Sequence, residues 1–284
     1  DGLLDAASGA ALKPAPASPD TLSLNNSLRQ QVDGALAALR LFSADPSERF
    51  AAARRAGFDE VEIQFPYSHS IPELATACQA AGVRVVLINL PAGDLMQGGD
   101  GLACVPAQTD AFVDALQQGL AYATALDVQC VNVLAGRLPA GVSRQQALAT
   151  LTGRLQLACR TFAPHGITVT CEAINPLDMP RFLVNDCDDM EALRQAVGCN
   201  NFGLQFDIYH MARQQHDVTA LLEKHAAHIV HIQFADCPGR GAPGTGTLDF
   251  KRIFMKIREI GYRGSVAAEL LDPDGTFTTS RCNF

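Results

Sequence analysis

The sequence lacks the features of membrane-spanning, disulfide-linked and nucleic-acid-binding proteins. No apolar run approaches the ~20 residues of a membrane span. The nine cysteines form no Cys-x-x-Cys pair and several lie in apolar runs, so we expect reduced thiols in a core. The net charge of −8 disfavours general nucleic-acid binding, which needs clustered Lys and Arg. Residues 1–20 do not resemble a signal peptide, so we expect a cytoplasmic protein.

The remaining composition is that of one folded domain. The chain has 284 residues, of which 48% are apolar and 18% charged, which is typical of a well-buried core. The first residues are rich in Ala, Pro, Ser and Gly. We therefore expect a flexible N-terminal tail over residues 1–26 and a single domain over residues 27–284.

Predicted strands and helices alternate along the chain. Strands are predicted at 61–65, 83–90, 130–134, 167–174, 203–208, 229–234 and 265–270, with a weak candidate at 41–43. Helices are predicted from residue 46 onward and at 71–81, 107–126, 143–161, 188–197, 217–227 and 248–260. Strands joined by helical crossovers predict a parallel (β/α)₈ TIM barrel.

Four predicted strands end near a side chain that offers an oxygen ligand: Glu172, Asp207, Gln233 and Glu269. These residues recur at intervals of about one βα unit, which would bring them to the mouth of a barrel. Carboxylate and amide oxygens suit a hard cation such as Mg²⁺ or Mn²⁺. Each residue alone has another interpretation: a buried salt bridge for either glutamate, a helix cap for Asp207 and a hydrogen bond to a neighbour for Gln233. The set of four favours a metal site.

Further candidates lie at the predicted mouth. Residues 239–244 match G-x-G-x-x-G, but they follow a late strand and include a proline, so they are not a dinucleotide fingerprint. We interpret them as a flexible substrate loop in which Arg240 binds a carboxylate, with an exposed turn as the alternative. His210 and His231 lie close in sequence to the candidate ligands, and either a substrate-binding or a supporting role is open to them. Asn89 ends another strand at the same mouth, and we expect it to contribute to substrate binding.

At these residues the chain resembles the hydroxypyruvate isomerase family of xylose-isomerase-like barrels. The similar segments span most of residues 46–270 and comprise 61–67 (VEIQFPY), 89–94 (NLPAGD), 172–175 (EAIN), 205–211 (QFDIYHM), 233–236 (QFAD), 239–241 (GRG) and 243–246 (PGTG). The resemblance implies one divalent metal, Mg²⁺ or Mn²⁺, held by Glu172, Asp207, Gln233 and Glu269. It also implies a small hydroxy-keto acid as substrate and a role in glyoxylate metabolism, and it leaves a homo-oligomer open.

The implied reaction interconverts hydroxypyruvate and tartronate semialdehyde through an enediolate. Glu172 and Glu269 would move the protons, Arg240 would bind the substrate carboxylate, and His210 or His231 would orient or polarise it. A 2-oxo-tetronate isomerase and a ketose 3-epimerase are alternatives, although Gln233 stands where epimerases typically have His. An endonuclease IV-type enzyme would need more His ligands and a basic groove. A barrel without activity that acts as a binding protein is the non-enzymatic alternative.

The two ends of the chain depart from the family pattern. The first predicted strand runs almost directly into residues 45–50, so we expect the first βα loop to be deleted, and no helix is evident after residue 270. Residues 27–40 have apolar positions at helical spacing. We therefore expect an imperfect barrel at its first strand and last helix, with a helix over 27–40 covering the seam between first and last strands.

Overall fold

The eight parallel strands of the described residues form a closed barrel. The computed structural model describes residues 35–39 and 45–271. Each strand pairs with the next one along the chain, and the last pairs with the first. The strands are β1 (Ala35–Leu39), β2 (Glu60–Ile63), β3 (Arg84–Asn89), β4 (Cys130–Asn132), β5 (Thr168–Glu172), β6 (Phe202–Asp207), β7 (Ile229–Phe234) and β8 (Val266–Leu270). The predicted TIM barrel is confirmed.

Helices connect these strands. They are α1 (Pro46–Arg55), α2 (Ile71–Ala81), α3 (Thr109–Ala125), α4 (Arg144–Phe162), α5 (Cys187–Val197), α6 (Ile208–Arg213), α7 (Val218–His225) and α8 (Phe250–Glu259). Their starts follow local capping chemistry. For α2, Ser70 accepts a hydrogen bond from the Glu73 amide while the Glu73 carboxylate accepts from the Ser70 amide. Gly82 then ends α2 at a positive φ of 67°, which a residue without Cβ adopts readily.

The strands β2 to β8 and their helices lie where the sequence predicts them, within a few residues at each end. The exception among the described helices is α6, a short helix that begins directly after β6. It is absent from the prediction because it follows the strand without an intervening loop. Its position matters because it carries His210 back over the end of β6.

The prediction of a helix over 27–40 is wrong for residues 35–39, which form β1. This strand pairs in parallel with β2 and with β8. The Ala and Leu residues of this segment favour a helix locally, but the edges of β2 and β8 would otherwise expose unpaired backbone groups. Residues 27–34, the strand candidate at 41–43, the tail 1–26 and the chain beyond residue 271 lie outside the described residues.

Closure of the barrel brings the carboxyl ends of all strands to one mouth. The register places Asp207 of β6 directly beside Gln233 of β7, and Glu172 of β5 beside Gln205 of β6. Polar residues at the ends of separate strands therefore face one central volume. No helix among the described residues has the length and apolar character needed to cross a membrane.

Candidate active site

Two carboxylates and an imidazole meet at the mouth of the barrel. Glu172 is the last residue of β5, Asp207 the last of β6, and His210 lies in the first turn of α6. His210 Nε2 lies 3.5 Å from Glu172 Oε1 and 3.5 Å from Asp207 Oδ2. All three residues are buried, and one ligand atom from each lies within 4.8 Å of the others. The two carboxylates are therefore close enough to share a metal ion, with the imidazole beside them.

Asp207 combines a capping role with a free oxygen. Its Oδ1 accepts a hydrogen bond of 2.8 Å from the Tyr209 amide and so caps α6. Its Oδ2 is buried and has no hydrogen-bond partner among the described residues. The helix cap considered as an alternative for Asp207 is therefore present, and it leaves the second oxygen available. A buried anionic oxygen without a hydrogen bond is the kind of group that a bound cation would satisfy.

Asn175 determines which nitrogen of His210 carries the proton. Asn175 Oδ1 accepts hydrogen bonds from the amides of Leu177 and Asp178, at 3.1 and 2.9 Å. Its Nδ2 therefore faces His210 Nδ1, at 2.7 Å. Because an amide nitrogen only donates, His210 Nδ1 must accept and Nε2 carries the hydrogen. His210 thus presents an N–H, rather than a lone pair, to the two carboxylates.

Arg240 connects Glu269 to this group. Its Nη2 lies 3.2 Å from Glu269 Oε2 and 3.6 Å from Asp207 Oδ2. The guanidinium also lies over the ring of Tyr209, 5.0 Å from its centroid. Glu269 receives a second contact from β2's end, where Gln64 Nε2 donates to Glu269 Oε1. The structure therefore brings both predicted glutamates, Asp207 and Arg240 into one cluster.

The loop that carries Arg240 is organised by a buried carboxylate. Asp236, which is 1% exposed, accepts four backbone hydrogen bonds of 2.8 to 3.1 Å. The donors are the amides of Cys237, Gly244, Gly246 and Leu248. Arg240 has a positive φ of 54°, a conformation that persists in non-glycine residues when the surroundings fix it. The loop predicted as flexible is therefore held by specific backbone bonds.

Replacing Asp236 by Asn should disturb this loop. An amide nitrogen would face two of the four backbone donors, so we expect a loss of about 1–3 kcal/mol in unfolding free energy. The KM for the substrate should rise as well, because Arg240 loses its fixed position. Thermal unfolding and steady-state kinetics measure the two effects. Asp249→Asn is the matched control, since Asp249 caps α8 and Asn is an equally good cap. An unchanged KM in Asp236→Asn would contradict the positioning of Arg240 by this loop.

Gln233 and His231 lie in a hydrogen-bonded layer of the barrel interior. Gln233 Nε2 donates to Glu62 Oε2 at 2.8 Å, and Gln233 Oε1 accepts from Gln205 Nε2 at 2.6 Å. Gln205 Nε2 also contacts Glu172 Oε2, at 3.3 Å. His231 pairs through Nε2 with Glu62 Oε1. The hydrogen bond to a neighbour that we considered as the alternative for Gln233 is therefore present. Gln205 also links Gln233 to Glu172.

Two predicted substrate-binding residues lie apart from the carboxylate cluster. His231 lines a cavity at the amino-terminal ends of the strands, together with Glu60 and Arg84. Asn89, at the end of β3, accepts a hydrogen bond of 3.0 Å from Asn132 Nδ2. In the part of the chain that the structure describes, neither residue is bonded to the clustered carboxylates. Their direct contact with a substrate stays a prediction.

Burial and mutual charge set the protonation behaviour of the cluster. Burial raises the pKa of Glu172 well above its ordinary value, and the charges of Glu269 and Asp207 raise it further. Burial also raises the pKa of Glu269, against the lowering effect of Arg240. The pKa of His210 falls to about 3 through burial and the nearby Arg240 charge, so the ring is neutral at pH 7. Carboxylates with raised pKa values are suited to proton transfer near neutral pH.

Several residues that support the cluster escaped the sequence prediction. Glu62 lies in β2 and Gln64 follows its last residue, whereas Gln205 lies in β6, two residues before Asp207. Glu62 and Gln64 alternate with Val61 and Ile63, a pattern that indicates a strand with its polar face in solvent. In a closed barrel, one face of each strand lies inside the barrel instead. The period-two pattern alone could have identified Gln205, which shares a face with Asp207.

Comparison with known proteins extends these observations. A family model described as xylose isomerase-like TIM barrel matches residues 50–280. The hydroxypyruvate isomerase of Escherichia coli (strain K12) is 38% identical over 221 residues, covering 78% of this chain and 86% of the relative. The 2-oxo-tetronate isomerase of Cupriavidus necator is 36% identical over 229 residues, covering 81% and 88%.

A solved structure agrees with the fold. The crystal structure of AP endonuclease, family 2, from Brucella melitensis aligns with a TM-score of 0.80 at 32% identity and covers 86% of this chain and 94% of that chain. The family match spans more than half of the chain, and the relatives exceed 30% identity over most of it. The chain therefore belongs to the xylose isomerase-like TIM barrel family and, like the two isomerases it resembles, is an enzyme of the isomerase class.

Proposed function

We propose that the protein is a metal-dependent isomerase that interconverts hydroxypyruvate and tartronate semialdehyde through an enediolate. The observation that carries this proposal is the placement of Glu172 and Glu269 in one buried cluster with Asp207 and Arg240. The similarity to a hydroxypyruvate isomerase supports the choice of substrate.

The two glutamates approach the central volume from different sides. Glu172 ends β5 and Glu269 lies in β8, and two strands separate these in the ring. One carboxylate can therefore remove a proton from the hydroxymethyl carbon while the other returns a proton to the neighbouring carbon, and the hydroxyl proton passes between the two oxygens of the enediolate. The raised pKa of each carboxyl supports this role, since burial makes both groups stronger bases than exposed carboxylates.

Arg240 and His210 supply the polar contacts for the substrate. The guanidinium of Arg240 can bind a carboxylate at two points, and both of its described ion pairs use Nη2. The neutral ring of His210 presents its Nε2 hydrogen to the same volume, where it can donate to a substrate oxygen. Together they would orient a short hydroxy-keto acid between the glutamates.

The donor set fits a hard divalent cation, Mg²⁺ or Mn²⁺. Glu172, Asp207, Gln233 and Glu269 would hold it, because they offer carboxylate and amide oxygens and Asp207 Oδ2 accepts no hydrogen bond among the described residues. When bound, the cation would supply Lewis acidity that stabilises negative charge on the substrate oxygens. His210 is placed outside this set because its Nε2 carries a hydrogen.

Arg240 should set the preference for an acid substrate. We expect Arg240→Ala to raise the KM for hydroxypyruvate more than the KM for a neutral hydroxy-ketone of similar size, because only the acid loses a paired charge. Arg240→Lys is the matched variant, since it keeps the charge and loses the two-point geometry. Steady-state kinetics on both substrates measures the difference. Equal effects on the two substrates would contradict a carboxylate-binding role.

The length of the substrate is the open choice within this chemistry. The 36% identity to a 2-oxo-tetronate isomerase favours a four-carbon acid as the second candidate. Incubating the Mn²⁺-loaded protein with hydroxypyruvate, a 2-oxo-tetronate or a ketohexose, with product analysis by NMR, separates the candidates. We expect the highest kcat/KM with hydroxypyruvate. Turnover of the ketohexose alone would contradict the proposal, and turnover of none of them would favour a binding protein.

A further inference from the structure

Glu62 is a buried carboxylate in the middle of β2 that the chemistry above does not use. Its side chain has 0% exposure. Oε1 pairs with His231 Nε2, and Oε2 accepts the hydrogen bond of 2.8 Å from Gln233 Nε2. A carboxylate removed from water is costly unless such partners compensate it. One of these partners is a residue that we propose as a metal ligand.

The contact with Glu62 dictates the orientation of the Gln233 amide. A carboxylate only accepts hydrogen bonds, so the amide must turn its nitrogen toward Glu62. The oxygen then faces the opposite way, toward Gln205 Nε2, which is also 3.3 Å from Glu172 Oε2. The oxygen of Gln233 therefore lies on the side of Glu172. Hard cations bind amide oxygens and not amide nitrogens, so this orientation is the one that permits ligation.

We propose that Glu62 is a positioning residue that fixes the amide of Gln233 with its oxygen toward Glu172. His231 contributes by holding the other oxygen of Glu62, which keeps the carboxylate from turning away. The inference rests on the proposed function, because it assigns Glu62 a role through a metal ligand. It predicts that Mn²⁺ affinity depends more on the length of the Glu62 side chain than on its charge.

Two conservative variants separate reach from charge. Glu62→Asp keeps the charge but withdraws the acceptor by one methylene, whereas Glu62→Gln keeps the reach and removes the charge. The glutamine oxygen can still accept from Gln233, and its NH₂ can donate to a neutral His231 ring. In calorimetric titration of the full chain with Mn²⁺, we expect Glu62→Asp to weaken binding by about 10–100-fold, as for other groups that orient a ligand. Glu62→Gln should lose less Mn²⁺ affinity than Glu62→Asp.

The reverse order would overturn the inference, because it would show that Glu62 attracts the cation by charge alone. Glu60→Asp and Glu60→Gln are the matched controls. Glu60 is buried on the same strand but bonds Arg84 and Ser265, so its variants should bind Mn²⁺ like the wild type. A loss in the Glu60 variants equal to that in the Glu62 variants would also overturn the specific role.

A double-mutant cycle tests whether Glu62 acts through Gln233. Once Gln233→Ala has removed the ligand, Glu62→Asp should cause little further loss of Mn²⁺ affinity, and fully additive losses would overturn the inference. Should Glu62→Asp fail to fold, Glu62→Gln decides, since a loss as large as that of Gln233→Ala would overturn the role and near-wild-type affinity would support it. A wild-type chain that binds no Mn²⁺ contradicts the proposed function and this inference with it. Wild-type binding with the wrong variant order contradicts the inference alone.

Discussion

Glutamine in place of Glu172 or Glu269 should lower the kcat of hydroxypyruvate isomerisation by at least about 10²-fold, the effect of losing an acid–base group. Isomerisation requires that one proton leave the substrate and another return. A glutamine amide has nearly the shape of the carboxyl and can still offer an oxygen ligand, but it cannot accept a proton at neutral pH. Steady-state kinetics on each purified variant, with the metal content measured on the same sample, gives the result.

Metal content decides how a loss of turnover is interpreted. A variant that retains its metal and loses turnover has lost a proton carrier, whereas a variant that loses both has lost a ligand. Glu60→Gln is the matched control, because it makes the same change in a buried glutamate that pairs with Arg84 near the amino-terminal ends of the strands. Retained turnover in either site variant at full metal occupancy would show that the residue does not carry a proton.

Asp207→Ala should abolish metal binding while leaving the barrel folded. Asp207 contributes the oxygen Oδ2, which has no hydrogen-bond partner among the described residues, and its carboxylate lies within the cluster of Glu172 and His210. Removing the carboxylate takes away one anionic ligand. It also leaves the positive charge of Arg240 less neutralised, since Arg240 Nη2 lies 3.6 Å from Asp207 Oδ2 in the wild type. Elemental analysis of dialysed protein measures the metal directly.

The capping role of Asp207 calls for a second variant. Asp207→Asn can still cap α6 through its side-chain oxygen but loses the anionic oxygen, so it should lose metal without the cost of about 1 kcal/mol expected for a missing cap. Asp207→Ala should lose both the metal and the stability that the cap supplies. Full metal occupancy in Asp207→Asn would contradict ligation by this residue, and unaltered thermal stability in Asp207→Ala would contradict the cap.

Most of the barrel could be predicted from the sequence because its strands are buried on both faces. Such strands have continuous apolar runs, as in β3, and the helices between them begin at capping residues such as Ser70. β1 could not be predicted in this way. Its residues favour a helix locally, and only the unpaired edges of β2 and β8 favour a strand there.

In the candidate site too, residues marked by their local sequence could be predicted, and residues defined by long-range contacts could not. Glu172, Asp207 and Glu269 could be singled out because acidic residues in apolar strands are unusual. The role of Asp236 could not, because it accepts its hydrogen bonds from backbone amides as far away as Leu248, and any residue type except proline can supply those. The pairing of Glu62 with Gln233 crosses the barrel interior, between β2 and β7, and a contact between strands that are not neighbours has no signature in the sequence.

The central claim is that this barrel isomerises its substrate by proton transfer through Glu172 and Glu269. The most direct measurement is turnover of hydroxypyruvate by the Mn²⁺-loaded protein in deuterated water, with the product followed by NMR and tartronate semialdehyde without protein as the control for spontaneous exchange. A carboxyl that exchanges with solvent delivers deuterium, so the account predicts tartronate semialdehyde that carries deuterium on the carbon next to the carboxylate. Product formed without deuterium at that carbon would show that the substrate's own hydrogen returns to it, through one shielded base or by direct transfer, and would contradict transfer through two exchanging glutamates.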